Sequence, residues 1–305
     1  MTYKCNDTCS FCLAHDQIRN RVADISLDDL IKNLEYFHRR SKVTKVILTG
    51  GEPTLHPEFF NALEYLNKKK IPINVITNAI KFTDKIFLAK TKQHFFNVST
   101  HNKIIFSLND ISGQTNNNKI QKNLAKREKG IINLAKLQSP LLCIITITKN
   151  NAGYLDKIVD FLIELKKKHN LNLESVEIRM LYISMTPDYL LKESLPDGFD
   201  KISSSLKKAI RYLKNNGMVY SLWNLPLCYL ENSKKHKNLD IDKRLRTDII
   251  KVDTNHQYDK ANILNWQKYF RDYSECINCS LKKRCSGVDP GYLYLHNYPK
   301  LKTIK

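Results

Sequence analysis

Short apolar runs alternate with longer amphipathic runs along most of the chain. Runs rich in β-branched residues predict strands at 43–51, 71–78, 94–101, 141–148 and 173–181. Apolar residues at helical spacing predict helices at 25–40, 56–70, 120–137, 152–169 and 199–217. This alternation of strand and helix is typical of a parallel α/β sheet with right-handed helical crossovers.

The predicted strands are continuous apolar runs rather than alternating ones, which indicates parallel strands covered on both faces. About six β/α units fit before residue 217, two fewer than in an eightfold barrel. The alternation then stops, and residues 222–305 are rich in Asn, Lys, Asp and Tyr and contain a second group of cysteines. We therefore predict an α/β fold with a partial (β/α)6 barrel at 1–217 and a small C-terminal Cys-rich domain at 218–305.

The chain of 305 residues carries a formal net charge of +20. A charge of this size can reflect an anionic partner, such as nucleic acid, a lipid surface or an acidic protein. However, the Lys residues are spread along the chain and accompany many Asn residues, as in the products of an A+T-biased genome. Because clustering is a better signal than total charge, we do not expect a nucleic-acid partner.

Neither end of the sequence nor its interior offers a membrane signal. The residues before Cys5 are too few for a signal peptide, and no apolar run reaches the roughly 18 residues that span a bilayer. We therefore expect a cytoplasmic protein without a membrane partner. Thiols stay reduced in that compartment, so the 8 cysteines are expected to be metal ligands rather than disulfides.

The first group of cysteines, Cys5, Cys9 and Cys12, lies on one short loop with the sequence CNDTCSFC. Three thiolates can hold a metal site, but they leave one position of a four-coordinate site open, as metal sites that perform chemistry do. One β/α unit later, the sequence GGEP at 50–53 ends a predicted strand. In barrel-like folds, that end of the strands carries the active site.

The C-x3-C-x2-C loop, with an aromatic residue before its last cysteine, and the GGEP sequence together resemble the radical SAM superfamily, from residue 1 to about residue 220. The resemblance implies that Cys5, Cys9 and Cys12 bind three irons of a [4Fe–4S] cluster, since thiolates suit iron–sulfur chemistry. It implies that S-adenosylmethionine chelates the fourth iron through its amino and carboxylate groups. An electron from the cluster would cleave this cofactor and yield a 5′-deoxyadenosyl radical that abstracts hydrogen from a substrate.

The same resemblance implies cofactor contacts around the loop. Gly50 and Gly51 would let the backbone approach the methionine part of S-adenosylmethionine closely, because neither has a β-carbon. Glu52 would accept a hydrogen bond from the ammonium group, and Pro53 would stiffen the turn. Phe11 would offer a face on which the adenine packs.

Further candidate contacts lie where predicted strands end. Asn78 ends one strand and is followed by Ala79, where many relatives have Gly, which puts that turn in doubt. Ser99 ends the next predicted strand, a usual place for ribose contacts, and Thr148 ends the one after. Arg179 is a charge in an apolar strand, so we expect it to pair with a buried anion such as the cofactor carboxylate. Each of them could instead be an ordinary satisfied polar group.

The second group consists of Cys228 and the C-x2-C-x5-C run formed by Cys276, Cys279 and Cys285. Four thiolates close a site, and on ligand grounds zinc would accept them equally well. Beside a radical SAM core, however, the group resembles the auxiliary-cluster domains called SPASM and twitch, and it is closer to the shorter twitch type. The resemblance therefore implies a second, auxiliary [4Fe–4S] cluster. The remaining Cys143 is expected to be a buried core residue.

Enzymes of this kind that have auxiliary clusters often modify ribosomally made peptides, so the resemblance favours a radical SAM peptide maturase. Modification of a small metabolite is the second hypothesis and RNA modification is the third. A zinc- or iron–sulfur-containing nucleic-acid-binding protein without enzymatic activity is the opposing class. The expected partners are a peptide or small-molecule substrate and a flavodoxin- or ferredoxin-like electron donor. No leader-binding domain precedes the first cysteine loop, so either a separate leader-binding protein supplies that function or the basic surface holds an acidic leader.

Overall fold

The computed structural model of the chain describes most of its residues. These are 1–12, 14, 16, 20, 23–40, 42–96, 98, 101–111, 118–180, 194–230, 249–252, 258–261, 273–283, 285, 287–288 and 303–305. The prediction for Ser99 lies outside this set.

A six-stranded parallel sheet forms the centre of the fold. Its strands follow one another in sequence order, and each pairs in parallel with the next. They are β1 (Val46–Leu48), β2 (Ile73–Thr77), β3 (Lys103–Ser107), β4 (Leu141–Ile147), β5 (Leu173–Met180) and β6 (Val219–Trp223). A separate antiparallel pair consists of β7 (Ile249–Val252) and β8 (Tyr258–Ala261). Parallel strands in sequential order are the arrangement of an incomplete β/α barrel, so the predicted partial (β/α)6 barrel is confirmed.

Helices connect the strands of the sheet. Those that do so are α2 (Phe59–Lys68), α3 (Lys85–Thr91), α4 (Asn118–Ala135), α5 (Leu155–His169) and α6 (Phe199–Asn215). The helix α1 (Leu27–Arg40) precedes β1, and α7 (Ser274–Ile277) follows β8. In α5 the apolar residues recur at helical spacing and are buried, and Asn170 ends the helix in the left-handed conformation. Among the helices in the described ranges, none is long and apolar enough to cross a membrane.

The sheet has two different faces. In β5, Ile178 is buried in the main core, whereas Glu177 and Arg179 on either side of it are partly exposed. Residues paired across parallel strands share a face, so the register partners of Arg179, which are Thr146 and Trp223, lie on the second face as well. The expectation of a uniformly apolar strand is therefore wrong for β5. Its first face packs on the helices, and its second face lines the interior of the partial barrel.

The strand predicted at 94–101 is wrong for the part of this range that the structure describes. Lys92–Phe96 is a π-helix, and the next strand along the chain is β3. The side chain of Asn102 donates a 2.8 Å hydrogen bond to the carbonyl of Phe95 and accepts a 2.9 Å hydrogen bond from the amide of Ile73. Phe95 is fully buried, so burial of this ring and the bonds to β2 override the local β propensity of the segment.

The parallel sheet extends past the predicted domain boundary. β6 pairs with β5 from Val219, opposite Ser175, to Trp223, opposite Arg179. This strand lies within the range 218–305 that the sequence assigns to the second domain. The division of the chain into two domains stays a prediction.

Candidate active site

Three thiols lie together on the loop at the start of the chain. Cys5, Cys9 and Cys12 are partly buried and interact with one another electrostatically. Burial raises the pKa of Cys5 to about 11 and also raises the pKa of Cys9 and of Cys12. All three are therefore neutral thiols near pH 7, and metal binding would release their protons. Ser194 anchors the loop, because its hydroxyl donates a 2.9 Å hydrogen bond to the carbonyl of Ser10.

Glu52 is a buried carboxylate that four protein groups hold. Its Oε1 accepts hydrogen bonds from the amide (3.2 Å) and the hydroxyl (2.6 Å) of Thr54 and from the hydroxyl of Thr77 (2.8 Å). Its Oε2 accepts a 2.7 Å hydrogen bond from the amide of Asn78. Burial raises the pKa of Glu52, and these hydrogen bonds oppose the rise. Oε2 keeps one acceptor position, which is where the predicted ammonium contact would be made.

Gly50 and Gly51 pack against the N-terminal segment of the same chain. The amide of Gly51 donates a 2.7 Å hydrogen bond to the carbonyl of Thr2, and Gly50 has a φ of +145°, which favours glycine. A β-carbon on Gly51 would stand 2.7 Å from the carbonyl oxygen of Tyr3, too close for non-bonded atoms. The two glycines therefore allow the packing that places Cys5 beside the loop after β1. Their contact with the methionine part of a cofactor stays a prediction.

Pro53 begins a short helix, and Phe11 packs on the core. Pro53 is the first residue of a 3₁₀-helix (Pro53–Leu55), a position that suits proline because its φ is fixed and its missing N–H is not needed. Phe11 is partly buried against the main core. The packing of an adenine ring on Phe11 stays a prediction.

The turn after β2 brings Asn78 to the first thiol. Its side-chain nitrogen lies 3.9 Å from Sγ of Cys5 and donates a 2.8 Å hydrogen bond to Oδ1 of Asn6. Ala79 adopts a φ of +66°, the left-handed conformation that glycine occupies at the lowest cost. Gly130 of α4 leaves room for this turn, because a β-carbon there would overlap the carbonyl oxygen of Ala79. The doubt raised by Ala79 is therefore resolved: the turn forms without a glycine.

Two predicted strand-end residues already have partners within the protein. Thr148 is buried in the loop after β4, where its amide donates a 2.8 Å hydrogen bond to Oδ1 of Asn151. Nη1 of Arg179 lies 3.5 Å from Oε1 of Glu177 on the same strand, and 32% of the Arg179 side chain is exposed. Glu177 is thus one anion beside Arg179, and the contact of Arg179 with the cofactor carboxylate stays a prediction.

A polar residue at the end of β3 is absent from the predicted contacts. The active edge of a β/α barrel is the edge where strands end, and the ribose contact predicted at Ser99 stays a prediction. Ser107 is the last residue of β3, and its hydroxyl lies 3.5 Å from the carbonyl oxygen of Thr77. The sequence signal for Ser107 is the apolar run IIF directly before it and the polar residues soon after it.

A buried ion pair beside the first thiols also escaped the sequence analysis. Arg127 of α4 pairs with Asp7, which lies in sequence between Cys5 and Cys9. The available signal was the position of Arg127 on the apolar stripe of its helix, three residues after Leu124 and four before Ile131, both of which are buried.

The structure brings together the four cysteines of the second group, which are Cys228, Cys276, Cys279 and Cys285. Burial, followed by the charges of the other three, raises the pKa of Cys276 to about 11. Sγ of Cys285 accepts hydrogen bonds from the amides of Leu227 (3.3 Å) and Gly287 (3.4 Å). Because Leu227 directly precedes Cys228, the first of these bonds joins the distant cysteine to the C-x2-C-x5-C run.

Both thiol groups have the donor chemistry of iron–sulfur sites. Three thiols suit a cluster with one iron left open, and backbone amides that donate to a cysteine sulfur are among the features that tune such clusters. Within the described ranges, no three His, Cys, Asp or Glu side chains are placed to hold a single metal ion. Thiolates around one zinc ion must each lie about 2.3 Å from it, whereas a cluster distributes its ligands over several irons.

Comparisons with known proteins show the family to which the chain belongs. The family model for the radical SAM superfamily matches residues 1–162. The chain is 30% identical over 88 residues to the mycofactocin maturase MftC of Mycobacterium tuberculosis, which is 28% of this chain and 22% of that protein. It is 31% identical over 78 residues to an S-adenosylmethionine-dependent nucleotide dehydratase of Selenomonas ruminantium, 26% of this chain and 27% of that one. The matched stretches thus span about a quarter of these relatives.

Solved structures share the fold over nearly the whole chain. Streptococcus suis SuiB bound to its precursor peptide SuiA has a TM-score of 0.60 at 15% identity, and the match covers 99% of this chain and 73% of SuiB. The structure of anSMEcpe with bound AdoMet and the Cp18Cys peptide has a TM-score of 0.66 at 15% identity, with 99% and 90% of the two chains covered. At 15% identity, the similarity to these two structures establishes the fold of the chain alone.

Proposed function

Because the chain belongs to the radical SAM superfamily, we propose that it is a maturase that abstracts hydrogen from a ribosomally made peptide. The observation that carries the proposal is the presence, in one chain with a partial barrel, of an open group of three thiols and a second group of four. Proteins of this overall fold include SuiB with its precursor peptide and anSMEcpe with a bound peptide, and MftC is a maturase by name.

The first thiol group would hold the cluster that defines the superfamily. Cys5, Cys9 and Cys12 would each bind one iron of a [4Fe–4S] cluster and leave the fourth iron to S-adenosylmethionine. When bound, this cluster supplies the electron for reductive cleavage of S-adenosylmethionine and so provides a hydrogen-abstracting radical. The chain itself orients the cofactor: Glu52 would accept from its ammonium group at Oε2, and Asn78 fixes the turn beside Cys5.

The interior face of the sheet would hold the substrate. Thr146, Glu177, Arg179 and Trp223 share this face through the strand register. Nε of Arg179 lies 3.4 Å from the hydroxyl of Thr146, so the guanidinium is held near the end of the sheet. A fixed cation and a fixed carboxylate on one wall can orient the polar groups of a peptide, and the wall keeps bulk water from the reacting atoms.

The second thiol group would hold an auxiliary [4Fe–4S] cluster. Cys228, Cys276, Cys279 and Cys285 supply the four ligands that close such a site, and zinc is the alternative occupant. Metal analysis of anaerobically purified protein separates the two. We expect about eight irons with matching sulfide per chain when both sites are filled, and about four irons with one zinc if the second site holds zinc.

The remaining partners follow from the chemistry. Each reductive cleavage consumes an electron, which a flavodoxin- or ferredoxin-like protein would deliver. A separate leader-binding protein would hold the precursor peptide, and the net charge of +20 would favour an acidic leader. The many free thiols would keep their ligand function in the reducing cytoplasm.

A direct experiment uses a candidate precursor peptide encoded next to the gene for this protein. Reduced, reconstituted protein is incubated with S-adenosylmethionine and the peptide deuterated at its side chains. We expect deuterium in the 5′-deoxyadenosine that forms and a change in peptide mass. A matched reaction replaces the peptide with a panel of nucleotides, because the match to a nucleotide dehydratase favours a small metabolite as the alternative substrate. Deuterium transfer from a nucleotide and none from the peptide would overturn the proposal.

A further inference from the structure

Arg127 is a charged residue on the buried, apolar side of α4. Only 5% of the residue is exposed, and its helical neighbours Leu124 and Ile131 are buried apolar residues. Burying a guanidinium costs several kcal/mol unless it is paired, so a partner must offset the burial. A Leu or Met at this position of the helix would avoid the cost of burying a charge. The charge therefore serves something other than packing.

Asp7 of the first cysteine loop is that partner. Nη2 of Arg127 pairs with Oδ2 of Asp7, and the exposed fractions of the two side chains are 6% and 10%. The side-chain amide of Asn123, one helical turn earlier, donates a 3.2 Å hydrogen bond to Oδ1 of the same carboxylate. Two residues of α4 thus hold the loop between Cys5 and Cys9 by its only acidic side chain.

The pair also places two opposite charges beside Cys9. Sγ of Cys9 lies 3.6 Å from Oδ2 of Asp7. Because Oδ2 of Asp7 also pairs with Nη2 of Arg127, both charges lie close to this sulfur. Nε of Arg127 is buried and has no hydrogen-bond partner within the described part of the chain, which leaves one N–H free beside the loop.

We propose that Asp7 and Arg127 are positioning residues that fix the first cysteine loop and set the reduction potential of the cluster bound there. The inference rests on the proposed cluster at Cys5, Cys9 and Cys12. Reduction adds an electron to a site that already carries three thiolates, so a buried cation nearby favours the reduced cluster and a buried carboxylate disfavours it. The two charges act through the environment of Cys9 and need no contact with substrate.

The test uses the full-length, reconstituted protein and four variants: Arg127→Met, Arg127→Lys, Asp7→Asn and the double variant Asp7→Asn/Arg127→Met. The midpoint potential of the N-terminal cluster is read by a redox titration followed by electron paramagnetic resonance. S-adenosylmethionine changes the spectrum of this cluster, which separates it from a second one. The release of iron to a chelator is measured in parallel.

We expect Arg127→Met and Asp7→Asn to shift the midpoint potential of the cluster in opposite directions. Arg127→Met lowers the potential, Asp7→Asn raises it, and the double variant returns toward the wild-type potential because both charges are gone. Arg127→Met should also hold iron about 10- to 100-fold less tightly, as the loss of outer-sphere support does at other metal sites, so more iron passes to the chelator. Arg127→Lys keeps the potential near that of the wild type, because the positive charge remains. It releases iron faster, because lysine lacks the planar guanidinium group that pairs with the carboxylate of Asp7.

Potentials that move in the same direction in Arg127→Met and Asp7→Asn, or that do not move, would overturn the inference and leave the pair a structural contact. If Arg127→Met alone does not fold around its unpaired Asp7, the comparison of Asp7→Asn with the double variant still gives the sign. Wild-type protein without an N-terminal cluster would overturn the inference and the proposed function together. Wild-type protein with the cluster but without peptide activity would overturn the proposed function alone.

Discussion

The amide of Asn78 donates a 2.7 Å hydrogen bond to Oε2 of Glu52, which joins the turn after β2 to the loop after β1. Asn78 in turn lies 3.9 Å from Sγ of Cys5, so the buried carboxylate supports the position of the first thiol through one intermediate residue. The acid of the GGEP sequence is therefore part of the scaffold of the site, whatever it contributes to cofactor binding.

Replacing Glu52 with Gln should loosen this scaffold. A Gln side chain presents N–H groups to at least one of the donors that now bind the carboxylate, and a buried donor left without an acceptor costs roughly 1–3 kcal/mol. We expect chemical denaturation to show a loss of stability of about this size and the purified variant to hold less iron. Glu64→Gln is the matched control, because Glu64 makes only an exposed ion pair with Lys68 and should change stability by well under about 1 kcal/mol. Equal stability of the two variants would contradict the scaffold role.

Gly130 is required by the turn at Ala79. A β-carbon on Gly130 would overlap the carbonyl oxygen of Ala79, and backbone atoms on both sides leave little room to adjust. Gly130→Ala should therefore destabilise the protein by about 1–3 kcal/mol, although alanine favours a helix. Gly153→Ala is the control, because nothing lies within 4 Å of a β-carbon there. Melting temperatures of the two variants measure the difference, and a Gly130→Ala variant as stable as Gly153→Ala would refute the close contact.

The local sequence pattern predicted most strands of the sheet, whereas tertiary contacts determine the structure of the segment before β3. The strands β2, β4 and β5 are long β-rich runs, and each was placed from its pattern alone. The aromatic run before β3 has the same local propensity, but burial of Phe95 and the side-chain bonds of Asn102 make it helical. The sequence contains no local sign of those contacts, so the local pattern predicts a strand there.

The sequence predicts those residues of the candidate site that lie together on one loop or in one short motif. The loop of Cys5, Cys9 and Cys12 needs only its spacing. The Arg127 and Asp7 pair joins residues 120 positions apart, so no local pattern reports it. Alternation in β5 could have placed Arg179 next to Glu177, because residues two apart share a face of a strand.

Cys228 is the member of the second group that is farthest from the others in sequence. The hydrogen bond from the amide of Leu227 to Sγ of Cys285 places it with them, and a long loop between ligands costs little because closure entropy rises only logarithmically with length. Cys228→Ser should therefore keep the N-terminal cluster but lower total iron from about eight toward about four per chain. Iron and sulfide analysis reads this change.

Cys143→Ala is the matched control for that variant. Cys143 is fully buried within β4, and its removal should leave the iron content unchanged. Full iron and an unaltered absorption spectrum in Cys228→Ser would mean that the second group has another fourth ligand.

The most direct test of the proposed active site measures the formation of 5′-deoxyadenosine from S-adenosylmethionine by the reduced, reconstituted protein. It compares the wild type with the triple variant in which Cys5, Cys9 and Cys12 are all Ala. We expect the wild type to form 5′-deoxyadenosine and the triple variant to lack about four irons and form none, because no thiolates remain to hold the cluster. Cleavage of S-adenosylmethionine by the triple variant after reduction with dithionite would contradict the assignment of the active site to this loop.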